Sequence, residues 1–343
     1  MHPTIEKLAR AKGANAAQVS PILRLTLKIV AAVLDGRVPA GLQLDDLLEG
    51  SPLTEPIHDR ALLLLGPKRN AVLSLHEVQQ YGLDSFADAD YIRIYGMAPA
   101  EWYGRGIRLL GRTAVECTRD ALADRFGRDI ADVAAMLVDT FSFGVIDPFA
   151  GSCNTLYWIL RHVPNAVGIA CELDPQVYEL TKRNISGLDR KIELIHCDYE
   201  ALFDGHRFPT DHGLIVFVAP PWGTALDEAV GLDLRRTQPP IIEIIRRIAR
   251  TYSACKLLFA IQVYEKVNPD SLADLRQLLD WSELRVYDIT AAGRNHGLLL
   301  ATRGWKPQSR HHLAAVHKHR PPRPQTEWPA QSPGQRGGDR YAK

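Results

Sequence analysis

The sequence predicts an α/β fold: a doubly wound, seven-stranded, mainly parallel sheet preceded by a helical segment. Three observations carry this. From Gly144 onward, short β-branched or apolar runs recur: GVIDPF, AVGIACEL, IELIHCD, LIVFVAP, KLLFAIQVY, ELRVYDIT and HGLLLATRGW. The runs are continuously apolar rather than alternating, the pattern of strands covered on both faces. Helical stretches lie between them, at Cys153–His162, Pro175–Ile185, Pro239–Ser253 and Ser271–Leu279, and strands alternating with helices wind a parallel sheet.

The elements before the sheet read as helical. Ser20-Pro21 supplies a cap and a first-turn proline for ILRLTLKIVAAVLDG, and Gly36 closes that segment. Its apolar positions nearly encircle the helix, which places it inside a helical subdomain or at a contact between subunits, a homodimer through these helices being one expectation. A second helical pattern runs from Thr113 to about Val138, with a break near Gly127. Asp84 to Gly111 carries Tyr91, Tyr95, Trp102, Tyr103 and Arg105 but no regular pattern. The organisation expected is a helical N-terminal subdomain over 1–110, a sheet domain over 111–304 and a basic, disordered tail over 305–343.

Composition narrows the function classes. The chain has 343 residues, with 41 Lys+Arg against 40 Asp+Glu, so its formal charge of +1 sets up no global field toward nucleic acid. With 46% hydrophobic and 24% charged residues it is a globular composition, not a collagen-like or coiled-coil one. No apolar run suits a bilayer span, and the start MHPTIEKLARAKG lacks a signal-peptide core. Five scattered cysteines without C-x-x-C predict a reducing, cytoplasmic setting with no disulfide framework and no metal site. The charge is unevenly spread. Residues 305–343 hold eight Lys/Arg against Glu327 and Asp339, a net +6, which leaves −5 for residues 1–304. That tail reads either as an electrostatic tether for RNA or DNA or as a solvated end without a partner.

In a doubly wound sheet, ligands sit beyond the carboxyl ends of the strands. Here those ends read Asp147 with PFAGSCN, Glu172 with LDP, Asp198-Tyr199, and Ala219-Pro220-Pro221-Trp222. Three successive strands ending in a carboxylate suggest a shared crevice, although each acid alone is explicable as a helix N-cap. The Gly151-to-Glu172 spacing resembles a dinucleotide fingerprint, but DPFAGSCN lacks G-x-G-x-x-G, and Asp147 would repel a pyrophosphate. S-adenosylmethionine has no phosphate and carries a sulfonium and an ammonium, so acids favour it. The roles expected are Gly151 for close backbone approach, Asp147 near the methionine end with Asn154 beside the amino-acid moiety, Glu172 on the ribose diol and Asp198 on the adenine amino group, with Phe149 and Tyr199 alongside.

Residues 144–223 resemble the class I methyltransferases that act on exocyclic amino groups, and most of all the trimethylguanosine synthase (RNA cap guanine-N2) type. The resemblance rests on Asp147-Pro-Phe-Ala-Gly-Ser-Cys-Asn154 and Ala219-Pro-Pro-Trp-Gly223, where that type reads S-P-P-W-G. It implies a Rossmann-like fold, S-adenosylmethionine as methyl donor, and an amino group of guanine in RNA, or a small-molecule amine, as acceptor. One departure bears on chemistry. Relatives place Asp, Asn or Ser before Pro-Pro, a side chain that accepts from the target amino group, and Ala219 has no such group.

Pro220 and Pro221 fix two φ angles and remove two N–H donors, presenting carbonyl oxygens of Ala219 and Pro220 to an amino group. Trp222 is expected to stack on the acceptor base or, alternatively, to cap the core. Trp102, Tyr103 and Arg105 read either as a substrate wall or as packing in an aromatic-rich connector, and Glu265, Lys266 and Arg294 follow later strands. A small-molecule methyltransferase and a methyltransferase-like binding protein without catalysis are the alternative functions, the latter supported by Ala219.

Overall fold

The computed structural model describes residues 58–307 apart from 138–141, 164, 207, 209–212, 228 and 289–295. The expected helix after Ser20-Pro21, Arg294 and the tail from 308 onward lie outside the described residues. Among the described residues, a π-helical turn at Ala61–Leu65 and four α-helices precede the sheet: α1 Leu75–Phe86, α2 Pro99–Gly104, α3 Gly111–Glu116 and α4 Asp120–Ala134. Ser74 starts α1 with a reciprocal capping box, its hydroxyl accepting from Glu77 N while the Glu77 carboxylate accepts from Ser74 N.

The sheet then alternates with helices: β1 Phe143–Asp147, α5 Asn154–His162, β2 Val167–Glu172, α6 Pro175–Ile185, β3 Ile192–His196, α7 Tyr199–Gly205 and β4 Gly213–Val218. A two-stranded ribbon (β5 Leu226–Asp227, β6 Gly231–Leu232) precedes α8 Ile241–Thr251, β7 Lys256–Tyr264, α9 Pro269–Arg276, β8 Trp281–Tyr287 and β9 His296–Arg303. The seven-stranded sheet has the order β3-β2-β1-β4-β7-β9-β8. Strands β3, β2, β1, β4 and β7 run parallel, and β9 enters antiparallel to both β7 and β8. The order reverses between β1 and β4, which opens a crevice at their carboxyl ends.

Strand residues sort by parity onto two cores, as the period of two requires. Val145, Ile215, Phe217, Leu258 and Ala260 join Trp102, Phe126, Ile130, Leu156 and Ile159 on one face. Ile146, Leu214, Val216, Phe259 and Ile261 join Phe203, Ile241, Ile244, Ile245 and Leu275 on the other. Helix α8 shows why: Ile241, Ile242, Ile244, Ile245 and Ile248 are buried while Arg246, Arg247 and Arg250 occupy the opposite side. The helices before β1 share the first core with the sheet.

The helical break expected at Gly127 is not there. The break falls at 117–119, and α4 runs unbroken through Gly127. A Cβ at Gly127 would lie 2.7 Å from both the Trp158 carbonyl oxygen and His162 Cδ2, so this glycine serves close packing of α4 on α5. The connector that showed no pattern is built around Trp102, which is fully buried and donates from Nε1 to the Ile92 carbonyl at 2.9 Å. Among the described residues no helix is long and apolar enough to cross a membrane.

Candidate active site

The carboxyl edge of β1 and β2 gathers the first group of residues. Asp147, 2% exposed, ends β1 opposite Ala170, and one of its oxygens accepts from Phe149 N at 3.1 Å. Burial, reinforced by the Glu172 charge and opposed by that hydrogen bond, raises its carboxyl to about 7. Glu172 ends β2. Burial raises its pKa as well, against two backbone donors: Gly151 N at 3.0 Å and Asp174 N at 2.8 Å.

Those bonds set the loop between β1 and α5. Gly151 adopts φ +48°, a conformation open to glycine, and its carbonyl accepts from the Thr181 hydroxyl at 2.7 Å. A Cβ at Gly151 would meet no described atom within 4 Å, so open space faces this backbone. Phe149 and Tyr199 bring their ring centroids to 5.5 Å and form an aromatic flank beside the acids. Asp198 caps α7, accepting from Glu200 N at 2.7 Å, and is half-buried. Asp147, Phe149, Gly151, Glu172, Asp198 and Tyr199 thus line the ends of three adjacent strands. The capping explanation holds for Asp198 alone.

Asn154 is placed differently from the expectation that it faces an amino-acid moiety. It is 1% exposed, and its amide is fully engaged: Oδ1 accepts from Tyr95 N at 2.7 Å, and Nδ2 donates to Thr118 O at 2.7 Å and to Asp120 at 3.2 Å. Asp120 also accepts from Trp158 Nε1 at 2.6 Å and from Gly96 N at 2.9 Å. Together these tie the connector to α5 under the first loop. The signal for Asp120 in the sequence was only its place at the start of an amphipathic helix, which reads as an ordinary first-turn acid.

The second group follows β4. Pro220 is buried, and Ala219 and Trp222 are half-buried. The Pro221 carbonyl accepts from Gln238 N at 3.2 Å, which leaves the acceptor role expected of this turn to Ala219 and Pro220. Trp222 packs on the second core and faces His296, ring centroids 6.4 Å apart. His296 is a residue the sequence reading passed over. Burial, with Arg119 nearby, lowers its pKa below the ordinary 6.5. Trp102 is interior packing rather than a substrate wall, Tyr103 lies under the Arg108 guanidinium at 3.6 Å, and Arg105 pairs with Glu101 at 2.9 Å on the surface.

The thiols near the crevice are poor nucleophiles. Burial pushes Cys153 and Cys171 well above the ordinary thiol range. A separate cavity of about 350 Å³ lies at the amino end of β7, lined by residues that include Tyr252, Cys255, Asp280 and Arg303, and it contains none of these groups.

Residues 144–301, just under half of the chain, match the family model described as RNA cap guanine-N2 methyltransferase. No curated protein matches significantly. Among solved structures, the chain resembles a METTL16 methyltransferase domain (17% identity, 55% of this chain and 84% of that chain, TM-score 0.40). It also resembles the precorrin-6y C5,15-methyltransferase of Geobacter metallireducens (15%, 55% and 92%, 0.36) and TrmK of M. capricolum with S-adenosylhomocysteine (11%, 54% and 70%, 0.33).

Proposed function

We propose that this chain, whose residues 144–301 match the family model described as RNA cap guanine-N2 methyltransferase, is a class I S-adenosylmethionine-dependent methyltransferase that acts on an exocyclic amino group of guanine in RNA. The observation that carries the site assignment is the pair of acids at adjacent strand ends, buried Asp147 and half-buried Glu172, with Glu172 bonded to the backbone of a glycine that has open space where a side chain would be. This donor set fits the methyl donor. A buried carboxyl raised to about 7 gains most from a permanent cation, because the cation favours its charged form. The bound donor would supply an electrophilic methyl group on a sulfonium.

The chain's own residues do the rest. Asp147 neutralises the methionine end, and Glu172 takes the ribose diol while its backbone bonds keep the loop in shape. Phe149 and Tyr199 flank the adenine, and Asp198 accepts from its amino group. Asn154 acts one layer below, holding the loop's floor through Tyr95, Thr118 and Asp120. No strong base is needed to start the displacement, so most of the rate comes from positioning. Pro220 and Ala219 present carbonyls to the amino protons, and Trp222 stacks on the base, worth about 1–3 kcal/mol.

Guanine in RNA is supported by the description of the matching family model and by the net +6 of residues 305–343. The −5 of residues 1–304 favours the second reading, a small-molecule amine. A screen with labelled methyl donor against total RNA and against small metabolites separates them. Label in guanine N2 of RNA is the expected result. Label only in metabolites establishes the second reading, and no transfer alongside intact donor binding establishes a binding protein.

A further inference from the structure

The structure assigns to His296 the task that Ala219 leaves unfilled: we propose that its Nδ1 accepts the proton released by the target amino group on methylation. This rests on the methyl-transfer reading above. Because β9 runs antiparallel to β7 and β8, the first residue of β9 stands at the carboxyl edge of the sheet, with His296 opposite Tyr264 at the end of β7 and Tyr287 at the end of β8. Its ring lies 6.4 Å from that of Trp222, tilted by 42°, so the imidazole neighbours the indole that follows the Ala219-Pro220-Pro221 turn. Nδ1 is buried and has no hydrogen-bond partner among the described residues. A buried polar atom without a partner is costly and calls for an explanation. A substrate proton supplies one.

The surroundings keep this imidazole an acceptor. The charged group that acts on it is the Arg119 cation, from the segment before α4. Two phenols, Tyr264 and Tyr287, pair with it across the strands, and the Tyr287 hydroxyl is itself bonded to Asp129. Burial first, and Arg119 second, hold the ring below its ordinary pKa, which favours the neutral imidazole. In the transfer, the amino nitrogen's lone pair forms the N–CH3 bond while the C–S bond of the sulfonium breaks and its electron pair stays on sulfur. As the nitrogen becomes cationic and acidic in the transition state, its proton passes to Nδ1, and the imidazolium returns it to solvent. A weak base suffices for so acidic a proton.

The test measures transfer of labelled methyl to total RNA as a function of pH at saturating donor, in the full chain. Wild type is expected to lose kcat on the acid side, below the ordinary histidine range. His296→Gln is expected to lower kcat about 100-fold, the lower end for general acid–base groups, and to remove that acid limb. Its donor affinity and unfolding midpoint should be unchanged. In His296→Ala, added imidazole should restore part of the rate, which a packing role would not allow. Wild-type kcat and an unchanged acid limb in His296→Gln, or a loss uniform in pH that imidazole does not rescue, overturns the assignment of His296 alone. Failure of wild type to label RNA at all overturns the acceptor reading and this inference with it.

Discussion

Asp147 is a carboxyl held near 7 by burial, where an exposed aspartate would sit near 3.8. Two outcomes follow from the sign of that shift. In the free protein the group favours its protonated form, so the stability it contributes is full below about 4 and is lost as pH rises through about 7. Donor binding needs the charged form, so affinity for S-adenosylmethionine should weaken as pH falls through about 7. The rise in melting temperature caused by the donor should therefore be larger above pH 7 than below it. Scanning calorimetry with and without donor on both sides of that value checks this, and Asp147→Asn should remove the difference. Gly151→Ala is the complementary change. It forces a side chain into the left-handed region, at about 1–2 kcal/mol, and puts a methyl group into the open space beside Glu172. Donor affinity should fall by more than that strain alone explains.

At the level of elements, most of the sheet was legible because its strands are short apolar runs punctuated by Gly, Pro and Asp. Helix α6 matches its expected span from Pro175 to Ile185, since Asp174 and Pro175 mark its start unambiguously. What failed was Gly127, read as a helix breaker. Its meaning is a close approach to α5, which a single sequence does not show. Gly127→Ala should destabilise the fold by about 1–3 kcal/mol through overpacking against Trp158 and His162, and urea unfolding measures it. The irregular connector stayed unreadable because polar side chains distant in sequence organise it. Asp120 accepts from Gly96, Asn154 and Trp158. In Asp120→Ala each donor left buried and unpaired costs about 1–3 kcal/mol, so the unfolding midpoint should drop clearly. Activity in that variant should fall through the loop beneath Gly151.

Across the whole molecule, the acids, the glycine and the Pro-Pro-Trp turn could be located from strand ends alone, because a doubly wound sheet brings those ends together. The commitment of Asn154 to the connector rests on hydrogen bonds to residues far away in sequence, and the meeting of Trp222 with His296 depends on how β9 is inserted antiparallel; periodicity encodes neither. The charge is divided as well, −5 over residues 1–304 and +6 over 305–343. If RNA is the acceptor, removal of residues 308–343 should flatten the dependence of RNA affinity on salt, since fewer phosphate contacts release fewer counterions. Titrations at several salt concentrations measure that slope. The most direct check of the central claim is a calorimetric titration of S-adenosylmethionine into wild type, Asp147→Ala and Glu172→Ala at a pH above 7. Saturable heat with wild type, and its loss in both variants while each still unfolds cooperatively, is the result predicted. No heat with wild type, or equal affinity in all three proteins, would contradict it.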